Sequence, residues 1–294
     1  SVNPQEDPIY AGVSGVPKEV GEIDFGSGVI LRPTFAHLMA PFLLAFAPAP
    51  PNSHHPGPWA AVNGGLGLDI HAELYIPDSF SPPNFFDRLN TVWWITSLLR
   101  LALSPQIHVP VISNQPFQEV SIDSKNARIL PVEAFTHRYH GSLYEPQNVD
   151  ESISWVVRTW KEGQELMRES RFNDTYQALD SIWRVPSPSL ALVTLWGALE
   201  NLFSPSKQEL RFRVSANIAS YLEAPGNGRL ELQKRLLKLY DSRSGAAHGV
   251  NKDVTDALAE TKDITRRVLY KIFETRNIPT KEDLERELFG ATNT

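Results

Sequence analysis

Ser187-Pro-Ser-Leu-Ala-Leu-Val-Thr-Leu-Trp-Gly-Ala-Leu-Glu-Asn-Leu-Phe203 reads as a helix running from Ser189 to about Phe203. A serine at the cap and a proline in the first turn suit a helix start, because the N–H that proline lacks has no intrahelical partner there anyway. Trp196 and Leu199 sit three residues apart, a spacing that buries both on one face. The same periodicity continues outward in both directions. Upstream, Ile153, Val156, Val157, Trp160 and Gln164 predict a helix from Glu151 to about Ser170, and Asn173–Trp183 a second one stopped by Pro186 and Pro188. Downstream, helices are expected at Lys207–Glu223, at Gly228 to about Asp241, and at Asp253–Thr275, the last apolar at Leu258, Ile264, Val268, Leu269 and Ile272. Short links between successive helices predict an antiparallel bundle.

Before Glu151 the pattern is different. Residues 1–34 are rich in Gly and Pro and read as irregular. Phe35–Phe46 fits either a short helix or a buried strand, since periodicity does not decide. Pro48–Pro58 is a loop, because its prolines fit neither a helix interior nor a central strand. Leu66–Ile76 alternates, with Leu66, Leu68, Ile70, Ala72, Leu74 and Ile76 on one face. Asp69, His71 and Glu73 then face the other way, toward solvent, as in a half-buried strand. Phe85–Ser104 is an apolar helix, and Ile107–Ile112, Phe117–Ile122 and Arg128–Val132 are short strand-like segments. The expected fold is α+β: a mixed α+β domain over residues 1–150, then an all-α domain over 151–294.

Charge divides the chain at the same place. Residues 1–150 hold seven basic and fourteen acidic side chains, and residues 151–294 hold twenty-one and twenty. The acidic half is a poor phosphate-binding surface. Arg229, Lys234, Arg235, Lys238 and Arg243 cluster in the second half, opposed only by Glu231 and Asp241. They form either a solvated helix face or a basic patch for nucleic acid. With no cysteine in 294 residues, disulfides, thiolate zinc sites, iron–sulfur clusters and a cysteine nucleophile are excluded. Phe35–Ala49 is interrupted by Pro41 and Pro48, and Val92–Leu103 by Arg100, so neither is a clean membrane span. The start, Ser1-Val-Asn-Pro, shows no signal peptide, and a cytoplasmic protein is expected. No phosphate-cradling Gly-x4-Gly-Lys-Ser/Thr loop is present, and Gly64, Gly65 and Gly67 make no dinucleotide fingerprint.

The stretch richest in chemistry is Leu239-Tyr-Asp-Ser-Arg-Ser-Gly-Ala-Ala-His-Gly249. Arg243 and His248 are separated by small residues that leave room for a ligand backbone. On a continuous helix the two would diverge by about 140°; a helix end at Gly245 or Gly249 would let them converge. Arginine offers a forked, charge-assisted donor to a phosphate, and histidine moves protons near neutral pH. Such a pair can cut a phosphodiester without a metal. The histidine handles the 2′-hydroxyl or leaving-group proton, and the arginine stabilises the transition-state charge.

Trp196-Gly-Ala-Leu-Glu200 followed by Tyr240-Asp-Ser-Arg-Ser-Gly-Ala-Ala-His-Gly249 resembles the HEPN superfamily, and within it the Apea-like group, over about residues 150–280. The resemblance implies a helical domain that dimerises, with the Arg-x4-6-His motifs of two protomers forming one cleft. It further implies metal-independent endoribonuclease activity in bacterial antiphage defence or a toxin system, acting on RNA with no cofactor and no membrane. Other members are non-catalytic modules that bind nucleotides or partners. Arg243 and His248 match the catalytic pair. Ser244 holds the polar position after the arginine, where Asn, His or Asp is common. Glu200 matches an acidic helix position that orients the arginine, and Asp241 is either a supporting acid or a helix-end residue. Arg235 and Lys238 are weaker candidates for RNA contact. Val250 stands where some members carry a tyrosine that an antitoxin modifies. The trigger or ligand of residues 1–150 is not assigned by the resemblance.

Other groupings carry less. Arg32-Pro-Thr-Phe-Ala-His37 repeats the Arg-x4-His spacing inside the acidic, Pro-rich half. His137 and His140 have the spacing of a helical metal pair without a third ligand nearby, and His54-His55 lie in the proline loop. No metal is expected.

Overall fold

The computed structural model describes residues 7–82, 86–120, 124, 126–133, 146–203, 209–247 and 254–290, with backbone alone at 40–42, 63, 64 and 66. The chain divides into two compact units, Ser1–Thr96 with Gln106–Ala134, and Ser97–Pro105 with Phe135–Thr294. The first is built on an antiparallel sheet and the second on helices, so the chain is mixed α+β. The compositional break at Asp150 marks where the helical run begins. Ser97–Pro105 nonetheless belongs with the helices, because Arg100 finds its carboxylate there.

In the first unit, β1 (Ile9–Ser14), β2 (Ile23–Gly26), β3 (Val29–Ala45), β4 (Trp59–Ile76), β5 (His108–Ser113) and β6 (Ile129–Pro131) pair in the order β2-β3-β4-β1-β5-β6, every pair antiparallel. Residues 9–14, 23–26 and 29–34 are therefore strands within a stretch expected to be irregular. Ile9, Ala11 and Val13 alternate into the core at 0% exposure, and β1 lies between β4 and β5. Gly12 is a requirement of close approach rather than a break. A Cβ there would lie 2.8 Å from Ile70 Cδ1 and 3.0 Å from the Phe117 ring. Phe117, expected in a strand, sits in a turn closed by the Glu119 N–H donating to the Pro116 carbonyl at 3.0 Å. Its ring packs with Ile70 and Val111. Residues 121–123, from the rest of that expected strand, lie outside the described residues.

The same crowding corrects the reading of Glu73. It pairs in register with Gly12, where the missing side chain admits Phe117 and Ile70. Glu73 is 2% exposed rather than solvent-facing. Arg32 donates to its Oε1 from Nε at 3.0 Å and from Nη2 at 2.6 Å, and the Phe117 N–H donates to Oε2 at 2.7 Å. Asp69 and His71 are exposed, and Asp69 pairs with His37 Nδ1 at 2.7 Å.

Phe35–Phe46 falls mostly within β3 but is not buried. Phe35, Met39 and Leu43 are 67%, 75% and 59% exposed. The β3–β4 register shifts between Pro33 and Ala36 and again between Pro41 and Leu43, since proline cannot donate to a ladder and is accommodated at bulges. Residues 33–68 contain no Lys, Arg, Asp or Glu. Beyond Ile70 this hairpin pairs only with itself among the described residues.

In the second unit, α1 (Arg88–Ala102) contributes its last turns, followed by α2 (Val149–Thr159), α3 (Ser170–Ser181), α4 (Pro188–Phe203), α5 (Leu210–Leu222), α6 (Asn227–Ala247), α7 (Thr255–Thr275) and α8 (Lys281–Phe289). Asn148 caps α2 by accepting from the Glu151 N–H at 3.1 Å. The helix expected from Glu151 to Ser170 breaks after Trp160, with a tighter 3₁₀ segment over Glu162–Arg168. Gly163 lies in that segment, and glycine costs about 1 kcal/mol relative to alanine inside a helix. Ser187 caps α4 through its hydroxyl, 3.2 Å from the Leu190 N–H. α4 packs against α3, α5, α6 and α7, with Trp196 fully buried. The C-terminal α8 was not expected from periodicity. It is set by a capping box in which Thr280 and Asp283 bond reciprocally, a signal written in Thr280-x-x-Asp283. No helix among the described residues is long and apolar enough to cross a membrane.

Two predictions follow from the buried polar groups. Glu73→Ala leaves the Phe117 N–H and the Arg32 fork without their acceptor. Chemical denaturation should show a loss of roughly 2–3 kcal/mol, below that of a fully enclosed pair because Arg32 is half exposed. Burial lowers Lys262 from 10.5 to about 8. Between those values the unfolded chain binds more protons than the folded one, so this group's contribution makes stability rise as pH rises above 8. Lys262→Met should abolish that rise between pH 8 and 10 and stabilise the protein at pH 7 by on the order of 2 kcal/mol.

Candidate functional site

The site is built from one face each of α4 and α6. Trp196 and Glu200 are one turn apart on α4, and Tyr240 and Arg243 one turn apart on α6, so each pair projects from a single face. Trp196 meets the Tyr240 ring edge-on, with centroids 5.2 Å apart at 80°. Arg243 lies over the same tyrosine, its Cζ 5.5 Å from the ring centroid. Its Nη2 donates to Glu200 Oε2 at 3.3 Å and lies 3.2 Å from Oε1. The ring thus carries the guanidinium over one face and stands nearly perpendicular to the indole.

Burial is partial at the charged end. The Arg243 and Glu200 side chains are 24% and 18% exposed, enough to strengthen the pair over a surface one while leaving solvent access. Arg243 Nε, Glu200 Oε1 and Trp196 Nε1 are buried and make no hydrogen bond among the described residues. Arg243 therefore spends only part of its donor fork on Glu200. Burial first, then hydrogen bonding to and repulsion by the Glu200 carboxylate, hold Tyr240 above the ordinary tyrosine range, and Arg243 draws it partly back. Tyr240 stays a neutral phenol at physiological pH.

The residues singled out by sequence fall into distinct places. Arg243 and Glu200 are brought together. Ser244 follows Arg243 on α6, half-buried. Asp241 turns elsewhere: Arg211 of α5 donates to both its oxygens at 2.7 Å, which holds its carboxyl below the usual range. Arg235 is likewise engaged, its Nε 2.6 and 2.7 Å from the two oxygens of Glu260. Arg229 donates to the carbonyls of Glu223 and Glu287, at 2.8 and 2.9 Å, securing the ends of α5 and α8. Lys234 and Lys238 are exposed. His248 lies outside the described residues.

α6 continues through Gly245 to Ala247, so the helix end anticipated at Gly245 is not there. Tyr240 and Leu239 are buried on α6, and that packing holds the helix past a glycine whose added Cβ would meet nothing within 4 Å. Arg32 and His37, which repeat the same spacing on β3, are each engaged with an acid, Glu73 and Asp69. His55 Nδ1 donates to the Ala47 carbonyl, 2.9 Å away. His137 and His140 lie outside the described residues, and among the described residues no three His, Asp or Glu side chains converge on a common point. Tyr240 is buried core on α6. It is also the platform for Arg243, a role signalled by an aromatic three residues before an arginine on one helix face.

No family model, curated protein or solved structure matches the chain.

Glu200→Ala removes the carboxylate that fixes the guanidinium over Tyr240. Because both partners are partly exposed, urea denaturation should show a loss of about 1 kcal/mol, and Glu200→Gln should recover part of it through a neutral hydrogen bond.

Proposed function

We propose that this protein is a metal-independent endoribonuclease of HEPN type, acting in bacterial antiphage defence or a toxin system. The observation that supports it is the Glu200–Arg243 contact at 3.2 Å. The two residues of the Trp-x3-Glu and Arg-x4-His elements that the resemblance pairs do lie together, on adjacent helices. In this reading the helical unit is a HEPN bundle that works as a homodimer. Arg243, held by Glu200, binds the nonbridging oxygens of the scissile phosphate with the donors Glu200 does not use. His248 takes the proton of the 2′-hydroxyl as that oxygen attacks phosphorus, or supplies a proton to the departing 5′-oxygen. The bond to the 5′-oxygen breaks, leaving a 2′,3′-cyclic phosphate and a 5′-hydroxyl. Ser244 adds a weaker hydroxyl donor to the phosphate. The sheet unit acts as sensor or regulator.

The same pair supports a second reading. A guanidinium held by a carboxylate also serves as a nucleotide or RNA phosphate site without turnover. The two readings part at His248, which turnover needs and phosphate binding does not.

The deciding experiment is cleavage of mixed RNA in EDTA, with end-group analysis of the products. The wild-type protein should cut and leave 2′,3′-cyclic phosphate ends. Arg243→Ala and His248→Ala should each lose about 100-fold or more in rate, and DNA of the same sequence should survive. Ser244→Ala should slow cutting without abolishing it. Cutting that persists in both the arginine and the histidine variants would sink the proposal. RNA binding without cutting by wild type, unchanged in His248→Ala, would establish the binding module instead.

A further inference from the structure

The hairpin of β3 and β4 outgrows the sheet that carries it. Among the described residues, β2 pairs with β3 only over Val29–Leu31, and β1 pairs with β4 only from Ala72 onward. Beyond those points the two strands run out to Ala45 and back from Trp59. Charged side chains make up 21% of the whole chain, yet residues 33–68 hold no Lys, Arg, Asp or Glu. Strand edges left in water are ordinarily guarded by charge, lysine above all. These edges are not.

The two faces of the hairpin differ. Ala36, Leu38 and Leu68 pack against the cluster of Ile70, Val111 and Phe117. Phe35 and Met39 alternate with them and turn to solvent, 67% and 75% exposed. Met39 stands in register with Gly67, so no side chain directly across the ladder covers it. At the outer end Leu43, Phe46 and Trp59 are exposed as well. Past them the loop holds five prolines, at 48, 50, 51, 56 and 58, and proline brings no N–H that needs a partner. The Ser53 N–H is turned inward to the Pro50 carbonyl at 3.1 Å.

Size and charge choose the occupant. A strand the length of residues 35–45 extends about 36 Å and two strands are about 10 Å wide, so one face offers roughly 350 Å². Two copies stacked face to face would bury about 700 Å², well under the ~1,200 Å² of a stable protein interface. Pairing edge to edge would satisfy backbone groups but leave Phe35 and Met39 in water. A lipid bilayer needs no matching surface. Each apolar side chain that enters it is stabilised, and tryptophan is favoured at its interface. The unpaired strand edges set the depth, because N–H and C=O groups without partners are not tolerated in hydrocarbon. The hairpin therefore lies along the headgroup level, where water and lipid oxygens reach its edges, rather than spanning. Residues 1–150 hold seven basic and fourteen acidic side chains, a balance that anionic lipid repels and neutral lipid does not.

We propose that the outer β3–β4 hairpin is a membrane-surface anchor that lays Phe35, Met39, Leu43, Phe46 and Trp59 into the interface of an electrically neutral lipid bilayer. The expectation of no membrane contact came with a resemblance confined to about residues 150–280, and the hairpin lies outside it. The anchor rests on the sheet unit and is independent of the ribonuclease reading.

The test is flotation of the full chain with phosphatidylcholine vesicles on a density gradient. Wild type should rise with the lipid, and raising NaCl from about 0.1 M to about 1 M should not release it, since no charge pairing holds it there. Met39→Glu and Phe46→Glu should each weaken partitioning by about tenfold, and the double variant by about 100-fold. Both positions face solvent in the free protein, so circular dichroism and thermal melting of the variants should match wild type. Phe289→Glu, which alters a comparably exposed aromatic on α8, should float like wild type. Replacing part of the phosphatidylcholine by phosphatidylglycerol should lower the bound fraction. No flotation of wild type, flotation unaltered in the folded double variant, or stronger binding to the phosphatidylglycerol vesicles would each overturn the proposal. So would sedimentation in lipid-free buffer in which the double variant loses subunits that wild type keeps, since a second copy would then be what covers the hairpin.

Discussion

The contact between α4 and α6 joins a packing problem to an electrostatic one. Trp196 has to be buried, and it packs nearly perpendicular to the Tyr240 ring. That meeting fixes the rotation of α6 about its axis. Once the rotation is fixed, the residue one turn after Tyr240 necessarily faces the residue one turn after Trp196. Those residues are Arg243 and Glu200. The aromatic pair supplies the larger energy through buried area. The ion pair supplies direction, because a guanidinium bound through one nitrogen to a carboxylate and laid over a ring has little freedom to turn elsewhere. A charged side chain is thus positioned by apolar neighbours, and part of its donor set remains uncommitted.

Each unit settles its buried polar groups by a different route. In the sheet unit, a glycine makes room for an aromatic ring, and the buried carboxylate in register with that glycine is satisfied by an arginine and a backbone N–H. The helical unit instead closes an arginine and an aspartate into a bidentate pair. Beside it, a lysine amine lies over an indole ring. Buried ion pairs contribute little net stability, because desolvation offsets attraction, but removing one partner is costly. The two carboxylates therefore restrain which packings are possible more than they add to the folding energy. The hairpin of β3 and β4 follows neither route: its outer length carries no charged residue and leaves large apolar side chains in solvent.

The helices were legible because amphipathic periodicity and caps are local. Ser187 at the head of α4 is one example, and the four-residue spacing of Ile264, Val268 and Ile272 along α7 is another. The strands of residues 9–34 were not legible, because each is short and Gly12 reads locally as a break. Only Phe117, more than a hundred residues on, shows why a side chain cannot stand there. Glu73 failed for the same reason: alternation predicts which face a residue takes, not whether something covers that face. The basic stretch on α6 looked like a continuous patch. Glu260 and the backbone carbonyls of α5 and α8 turn out to engage Arg235 and Arg229, and these are partners that no window of neighbouring sequence contains.

By itself the sequence determined most of the helices between residues 150 and 275, the mixed α+β class, the exclusion of all thiol chemistry, and the candidacy of Glu200 and Arg243. These follow from composition, from local periodicity, and from residue types whose chemistry is carried in the side chain. Tertiary structure alone decided that Glu200 and Arg243 meet, that Tyr240 supports them, and that Asp241 belongs to Arg211. It also decided that α6 runs on through Gly245, and that Lys262 is enclosed beside Trp183. Each of these depends on which surfaces distant segments bury against one another, and burial is a property of the whole packed chain.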